Sequence, residues 1–356
     1  MEGTRLAEWT VCEGFGLAVA EVTPVRSAWK VVTPDGVFCL RTLNQEGLAK
    51  LAFLRDITDY LWERGFARVP RFFPTPSGEV TFAAGGETLS LISWQPGAEC
   101  HLSRPGNLEA AARGLAELHL ASRGFVPRPA HAPAVRLGTW ETEFAGGAAF
   151  LAGAWARAWT APRPNEVDRW LVANHGWLSG RIEEARRRLA ELMAAQGAGA
   201  GAPEGVFCHN SLYYQNILIE ADGTTHFIDL DRALWDHRSR DVAHFLDRYL
   251  HRAGWEPAGA NRLLSAYQAV WPLTPHDLGL TWVRLLFPER FLKRLRTHYG
   301  PKRREPRHVV ARLESLAEDG TERAAFLAAF PKLAGDLLTP SPARDSLPSE
   351  RGVGGG

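Results

Sequence analysis

The chain of 356 residues is long enough for one large or two medium domains, and 45% hydrophobic with 10% aromatic side chains supply a real core. Its 41 basic residues nearly cancel its 40 acidic ones, so no global field points to nucleic acid or a membrane, although local patches can still act. The four cysteines, Cys12, Cys39, Cys100 and Cys208, lie far apart among apolar neighbours without Cys-x-x-Cys spacing, which predicts buried free thiols in a reducing compartment rather than disulfides or zinc.

The opening MEGTRLAEWTV has no basic segment followed by an apolar run, so no signal peptide is expected. Residues 19–22, 29–33 and 37–43 read as short strands, with Pro34-Asp35-Gly36 as a tight turn. Residues 47–64 then place Leu48, Leu51, Leu54, Ile57 and Leu61 at helical spacing before Gly65. Strand-like runs follow at 69–73, 80–82 and 88–94, and Gln95-Pro96-Gly97 breaks the pattern. This predicts a β-rich N-terminal lobe over 1–94 with one helix, a hinge at 95–98 and a helical C-terminal lobe over 99–338.

In the second lobe, helical periodicity covers 108–122, 140–158 and 165–195, separated by a Pro- and Ala-rich connector at 126–135. The stretch 144–159 is too short and too interrupted, by Arg157, to span a bilayer. A Gly- and Ala-rich loop at 196–205 leads to a polar stretch, and helices are expected again over 240–250, 258–271, 274–299 and 308–338. Residues 339–356 carry almost no large apolar side chains, which predicts a disordered tail.

The polar stretch, 207–231, reads FCHNSLYYQNILIEADGTTHFIDLD. Asp222-Gly223 between two apolar runs is a strong hairpin signal. Asn216 falls just before one strand, and Asp229 and Asp231 fall at the far end of the other, so antiparallel pairing brings them together. An amide oxygen and two carboxylates make a hard oxygen nest suited to magnesium carrying phosphates.

A β-rich lobe, a hinge and a helical lobe with this hairpin give an α+β, bilobal, protein-kinase-like layout. CHNSLYYQN, FIDLD and RDVAHFL resemble the core of the aminoglycoside phosphotransferase and choline kinase group. More closely, residues 8–335 are similar to the spore-coat CotS family of kinase-like proteins, through WKVVTPDGVFCLRTL, LWERGFARVPRFFPT, LISWQPGAE, GLAELHLASRGF and LLFPERFLKRL. The resemblance implies an aminoglycoside phosphotransferase-like fold, ATP and Mg2+ as cofactors, and spore coat proteins as partners. It also implies residence in the mother-cell cytoplasm with deposition on the coat.

Active members of the group read His-Gly-Asp, four residues, then Asn. By that resemblance His209 and Asn216 match, Asn210 stands in the Gly position and Ser211 stands where the catalytic Asp belongs. A serine cannot take the acceptor hydroxyl's proton unless a base lies beside it. Asn216 and Asp229 match the magnesium ligands, and Asp231 is a candidate to support a second ion or to substitute for the base. His209 is expected to tie the loop together, and Asp241 to open the next helix as a dipole-favoured carboxylate. Arg41 takes the place of the phosphate-holding lysine, with Glu46, Asp56, Asp59 and Glu63 as candidate acidic partners. No Gly-rich loop precedes the second strand; Ser27 lies in the turn there, and the backbone at Ser93 and Trp94 is a candidate adenine edge.

A basic run, Lys293, Arg294, Arg296, Lys302, Arg303, Arg304, Arg307 and Arg312, is either a dock for an acidic partner or a solvated face. It is not the footprint of a dedicated nucleic-acid binder. Three functions follow: a kinase-like coat protein with weakened or absent catalysis; an active phosphotransferase acting on a small hydroxylated acceptor; and a ligand-free coat scaffold.

Overall fold

A computed structural model describes residues 2–101, 104–196, 204–300, 305–318 and 320–338. The expected tail, 339–356, and Lys302, Arg303 and Arg304 of the basic run lie outside the described residues. Beyond the single helix expected in this lobe, the N-terminus supplies α1 (Glu2–Trp9), followed by a π-helical turn over Thr10–Gly14. Ala7, Val11 and Phe15 bury against Val31, Leu40 and Leu91 of the first sheet.

That sheet holds β1 (Glu21–Val25), β2 (Ala28–Thr33) and β3 (Gly36–Thr42), joined at β2–β3 by a turn in which Gly36 has φ 141°. The single helix expected over 47–64 is two, α2 (Gln45–Ala49) and α3 (Leu51–Glu63). The break falls at Lys50, whose buried ammonium binds Glu46 at 2.8 Å and the Asp231 carbonyl at 3.3 Å. β4 (Phe72–Phe73), β5 (Phe82–Ala84) and β6 (Glu87–Ser93) complete the antiparallel sheet, in the order β1-β2-β3-β6-β4 with β5 beside β6. The apolar face of α3, Phe53, Leu54, Ile57 and Leu61, belongs to the core of the second lobe, where Phe53 stacks on Phe207 at 6.3 Å. Burial of this kind, about 2 kcal/mol per large side chain, fixes α3 to the helical lobe.

β7 (Ala98–Glu99) crosses between the lobes and is followed by α4 (Asn107–Ala121), α5 (Trp140–Trp159) and α6 (Glu166–Gln196). β8 (Val206–Cys208), β9 (Ile217–Ile219), β10 (Thr225–Phe227) and β11 (Leu234–Asp236) frame the polar stretch. β9 and β10 form the hairpin, Ile217 facing Phe227, and β7 adds to its other edge. Gly97, at φ 106°, passes so close to the Ile219 backbone that a Cβ there would come within 3.1 Å.

Next come α7 (Ser239–Leu250), α8 (Pro257–Gln268), α9 (Pro275–Leu286), α10 (Glu289–Tyr299), α11 (Pro306–Ala317) and α12 (Gly320–Leu338). Two long helices expected here are each split. Pro288, lacking an N–H, follows an extended Phe287 and separates α9 from α10. The second split falls between Ala317 and Gly320. All four cysteines are free, and burial pushes Cys39 and Cys100 up to about 11; Cys12, against expectation, is exposed because it faces outward from the π-helical turn. No described helix is long and apolar enough to cross a membrane.

An ionic knot ties α5 to α7 and α9. Arg240 donates to Glu143 at 2.7 Å and also to Asp236, and Arg284 donates to Glu143 at 2.8 Å. Both arginine side chains are 4% exposed. Against the burial that would raise it, the Arg284 and Arg240 guanidinia hold the Glu143 carboxyl at about 2. Glu143→Gln is expected to cost about 3 kcal/mol in urea unfolding at pH 7, because two buried cations lose their shared anion. A carboxyl depressed in the fold stabilises above its unfolded value of 4.5 and loses that contribution as pH falls towards 2. The gap between variant and parent therefore stays constant down to about pH 5 and closes below it; a gap unchanged at pH 3 would contradict this account.

Candidate functional site

The loop between β8 and β9 is held by one carboxylate. Asp241, fully buried in the first turn of α7, accepts His209 N–H at 2.6 Å and Asn210 N–H at 2.7 Å, and His119 Nε2 lies 3.3 Å from it. It does more than favour a helix dipole: it replaces solvent for a stretch of buried backbone. His119 Nδ1 meets the Tyr267 hydroxyl at 2.8 Å, which fits a neutral ring with the proton on Nε2. Cys208 comes within 4.8 Å of this pair, but burial first, then Asp241 and Asp236, keep its thiol protonated. Through Asp241 the group ties His119 of α4 to the loop that follows β8.

Asn210 has φ 55°, the left-handed region that asparagine tolerates better than other residues with a Cβ, and its amide donates to Arg232 O at 3.2 Å. His209 Nε2 lies 2.9 Å from Ile228 O, so it donates there, and the ring is fully buried with Nδ1 unpartnered. Burial keeps this imidazole neutral. Ser211 is 3% exposed, and Asn216 Nδ2 donates to its carbonyl at 3.0 Å, with its Oγ at 3.3 Å. The same amide nitrogen is 3.4 Å from Asp229 Oδ2. Asp229 sits at φ 64° just past β10, with its side chain half exposed to the cleft. The hairpin thus brings Ser211, Asn216 and Asp229 together.

Arg41, on β3, reaches across the lobes. Its Nη2 is 2.6 Å from Asp231 Oδ2 and 3.7 Å from Asp229 Oδ1. The carboxylate of Asp231 also accepts Asn44 Nδ2 at 2.7 Å and packs on Gly47, where a Cβ would come within 3.1 Å of its Cγ. Burial raises the Asp231 carboxyl, against the Arg41 charge. The four acids considered as partners of Arg41 go elsewhere or stand apart. Glu46 pairs with Lys50, Asp56 with Arg128 and His131, and Asp59 with Arg71; Glu63 is exposed at the end of α3. Asn44, Gly47 and Lys50 were not legible as site residues, because only the folded contact with Asp231 gives them a role.

Between the lobes lies a cavity of about 450 Å³ lined by Ser27, Arg41, Ser93, Trp94, Asn216 and Asp229. The backbone N–H groups of Ser93 and Trp94 are spent on Arg71 O and Val37 O at 2.9 and 3.0 Å, and the Ser93 hydroxyl accepts Arg71 N–H. These two N–H groups are therefore not open to a nucleotide edge. At the mouth, Arg26 of the β1–β2 turn forms an ion pair with Glu99 of β7, so charge rather than a glycine loop draws that turn over the cleft.

A two-lobed frame with a clamped loop and a carboxylate–amide pair at the foot of a hairpin defines a kinase-like phosphotransferase fold. An aminoglycoside phosphotransferase from Alicyclobacillus acidocaldarius superposes with a TM-score of 0.72 at 19% identity, covering 91% of this chain and 95% of that one. Within that class, the chain belongs to the family described as "Spore coat putative kinase YutH", matched over residues 8–330. The endospore coat-associated protein YutH of Bacillus subtilis (strain 168) is 25% identical over 331 residues, covering 90% of this chain and 92% of that one. Spore coat protein S of the same organism is 24% identical over 268 residues, 75% of each chain. The resemblance read from the motifs is thereby borne out at the level of family and fold.

Proposed function

We propose that this chain is a kinase-like spore coat protein whose cleft binds a magnesium–nucleotide complex and whose phosphoryl transfer is weak or absent. The observation that carries this reading is the pairing of retained ligands with a missing base: Asn216 and Asp229 beside Ser211. The Asn216 amide spends its N–H groups on Ser211 and Asp229, leaving the amide oxygen and a half-exposed carboxylate as hard oxygen donors. That donor set fits magnesium. When bound, the ion neutralises phosphate charge. Arg41 holds the β3 sheet onto Asp231 and keeps positive charge within reach of phosphate oxygens, although its fork differs from a lysine ammonium.

Neither Asp231 nor His209 stands in for the absent carboxylate. Asp231 is committed to Arg41 and Asn44, so it positions the lobes rather than taking a proton. The Nε2 of His209 is committed to Ile228, and its Nδ1 is buried. Any acceptor would be a small hydroxylated molecule. The coat proteins are the proposed partners, reached from the mother-cell cytoplasm, in keeping with the coat association named for the relatives.

Magnesium ATP at about a hundredfold excess over Kd is expected to raise the melting temperature by roughly 4 °C, and Asp229→Ala to abolish the shift. An equal shift in the variant would sink the metal assignment. No shift in the parent would favour the scaffold reading, and robust turnover of a hydroxylated acceptor would overturn the weak-catalysis reading.

A further inference from the structure

We propose that the helical lobe carries an anion-binding site on the acceptor side of the catalytic loop, built by Lys293, Arg232 and Arg248 and fitted to a phosphate or carboxylate group of a small molecule. A cavity of about 80 Å³, room for one such group, is lined by Asn210 and Tyr213 of the loop and by these three cations. The cations are half-buried, and among the described residues neither Lys293 nor Arg232 has a hydrogen bond or ion pair from its side chain. Arg248 directs its guanidinium at the Tyr213 hydroxyl, 2.6 Å away, and at His244, 3.3 Å away.

Other charges lining the cavity are compensated. Arg240 and Arg284 share Glu143, and Arg290 reaches Asp247 at 3.4 Å. Outside the cavity, Glu46, which feels both Arg232 and Lys293, is paired with Lys50 at 2.8 Å. Burial, then Arg232 and Arg248, push Lys293 down to about 8. Glu289, the acid of the lining that acts on Lys293 and Arg248, is paired with Arg284, so the gathered like charges outnumber the counter-charge left to them, which is costly, and an oxyanion between them relieves that cost.

Beside the site lies a second cavity of about 330 Å³ that shares Tyr213, Arg248 and Arg290 as lining and adds Arg252, Arg294 and Arg312. The linear basic run therefore divides in the fold. Lys293, Arg294 and Arg312 face these cavities, whereas Arg296 lies over Phe150 and Arg307 is 3.8 Å from Glu166. The larger cavity gives room for the rest of the ligand. Arg232 follows Asp231 in the chain, and its carbonyl accepts the Asn210 amide, so an anion here is fixed relative to Ser211. That this anion belongs to an acceptor rests on the phosphotransferase reading above; the site itself does not.

Titration calorimetry with inorganic phosphate, without magnesium and at ionic strength held constant with sodium chloride, tests the site. Saturable binding is expected, weakened about tenfold or more in Lys293→Met and in Arg232→Met, retained in Lys293→Arg and unchanged in Arg296→Met, whose guanidinium lies over Phe150 away from the cavity. A parallel titration with malonate tells a phosphate group from a carboxylate, and saturation by either one that depends on Lys293 supports the site. Binding lost in Arg41→Met but kept in Lys293→Met, or no binding of either anion, overturns it. Lys293-dependent phosphate binding with no magnesium ATP shift would leave the site standing and remove only the acceptor assignment.

Discussion

Asp241→Ala is expected to lose roughly 4 kcal/mol of unfolding free energy, because the His209 and Asn210 N–H groups it accepts at 2.6 and 2.7 Å have no other partner among the described residues. An unsatisfied buried donor costs about 1–3 kcal/mol, and here two are exposed at once. His119, left with a cavity in front of Nε2, adds to the loss. Asp241→Asn keeps one acceptor oxygen and should lose about half as much. Urea unfolding of the three proteins at one pH measures this. A loss below about 1 kcal/mol for the alanine variant would show that the loop is held by its packing rather than by this carboxylate.

The second large effect is a gain. Ser211→Asp places a carboxylate beside the Asn216 amide, now 3.3 Å from the serine hydroxyl, and restores a group able to accept a proton from an attacking hydroxyl or water. Magnesium-dependent ATP hydrolysis is expected to rise about 10²-fold, the low end of what positioned acid–base catalysis contributes. The variant should keep the magnesium ATP melting shift, since Asn216 and Asp229 are untouched. A retained shift with no rise in hydrolysis would move the defect from Ser211 to the phosphate side of the cleft. There Arg41 is already engaged by Asp231 at 2.6 Å.

Much of the frame was legible. The meander around Pro34-Asp35-Gly36, the hairpin around Asp222-Gly223 and most of the helices carry local signals, apolar spacing and turn residues, that act over a few residues and survive into the fold. What failed did so where tertiary contacts set the backbone. Lys50 breaks a periodic helix because its buried ammonium is called to Glu46 and the Asp231 carbonyl. The helix expected over 274–299 divides at Pro288, which the periodicity of its leucines conceals.

At the site, Asn210, Ser211, Asn216 and Asp229 could be picked out by spacing and resemblance, whereas the partner of Arg41 could not. Sequence proximity points to a partner on the following helix, within some twenty residues. The structure supplies it from Asp231, 190 positions away, because the two lobes close on each other there. Arg26 and Glu99, and Arg232 with Lys293 and Arg248, are likewise joined only by the fold.

That an amide and a carboxylate flank a hairpin, with a serine next to them, follows from residue type and short spacing alone. Which charges are satisfied depends instead on how distant elements fold together. Asp231 is spent on Arg41 and Asn44, Asp241 on the loop backbone, and Lys293 and Arg232 on no described partner. Electrostatic pairing depends on distances of a few ångströms and on exclusion of water, and both are set by how distant elements pack.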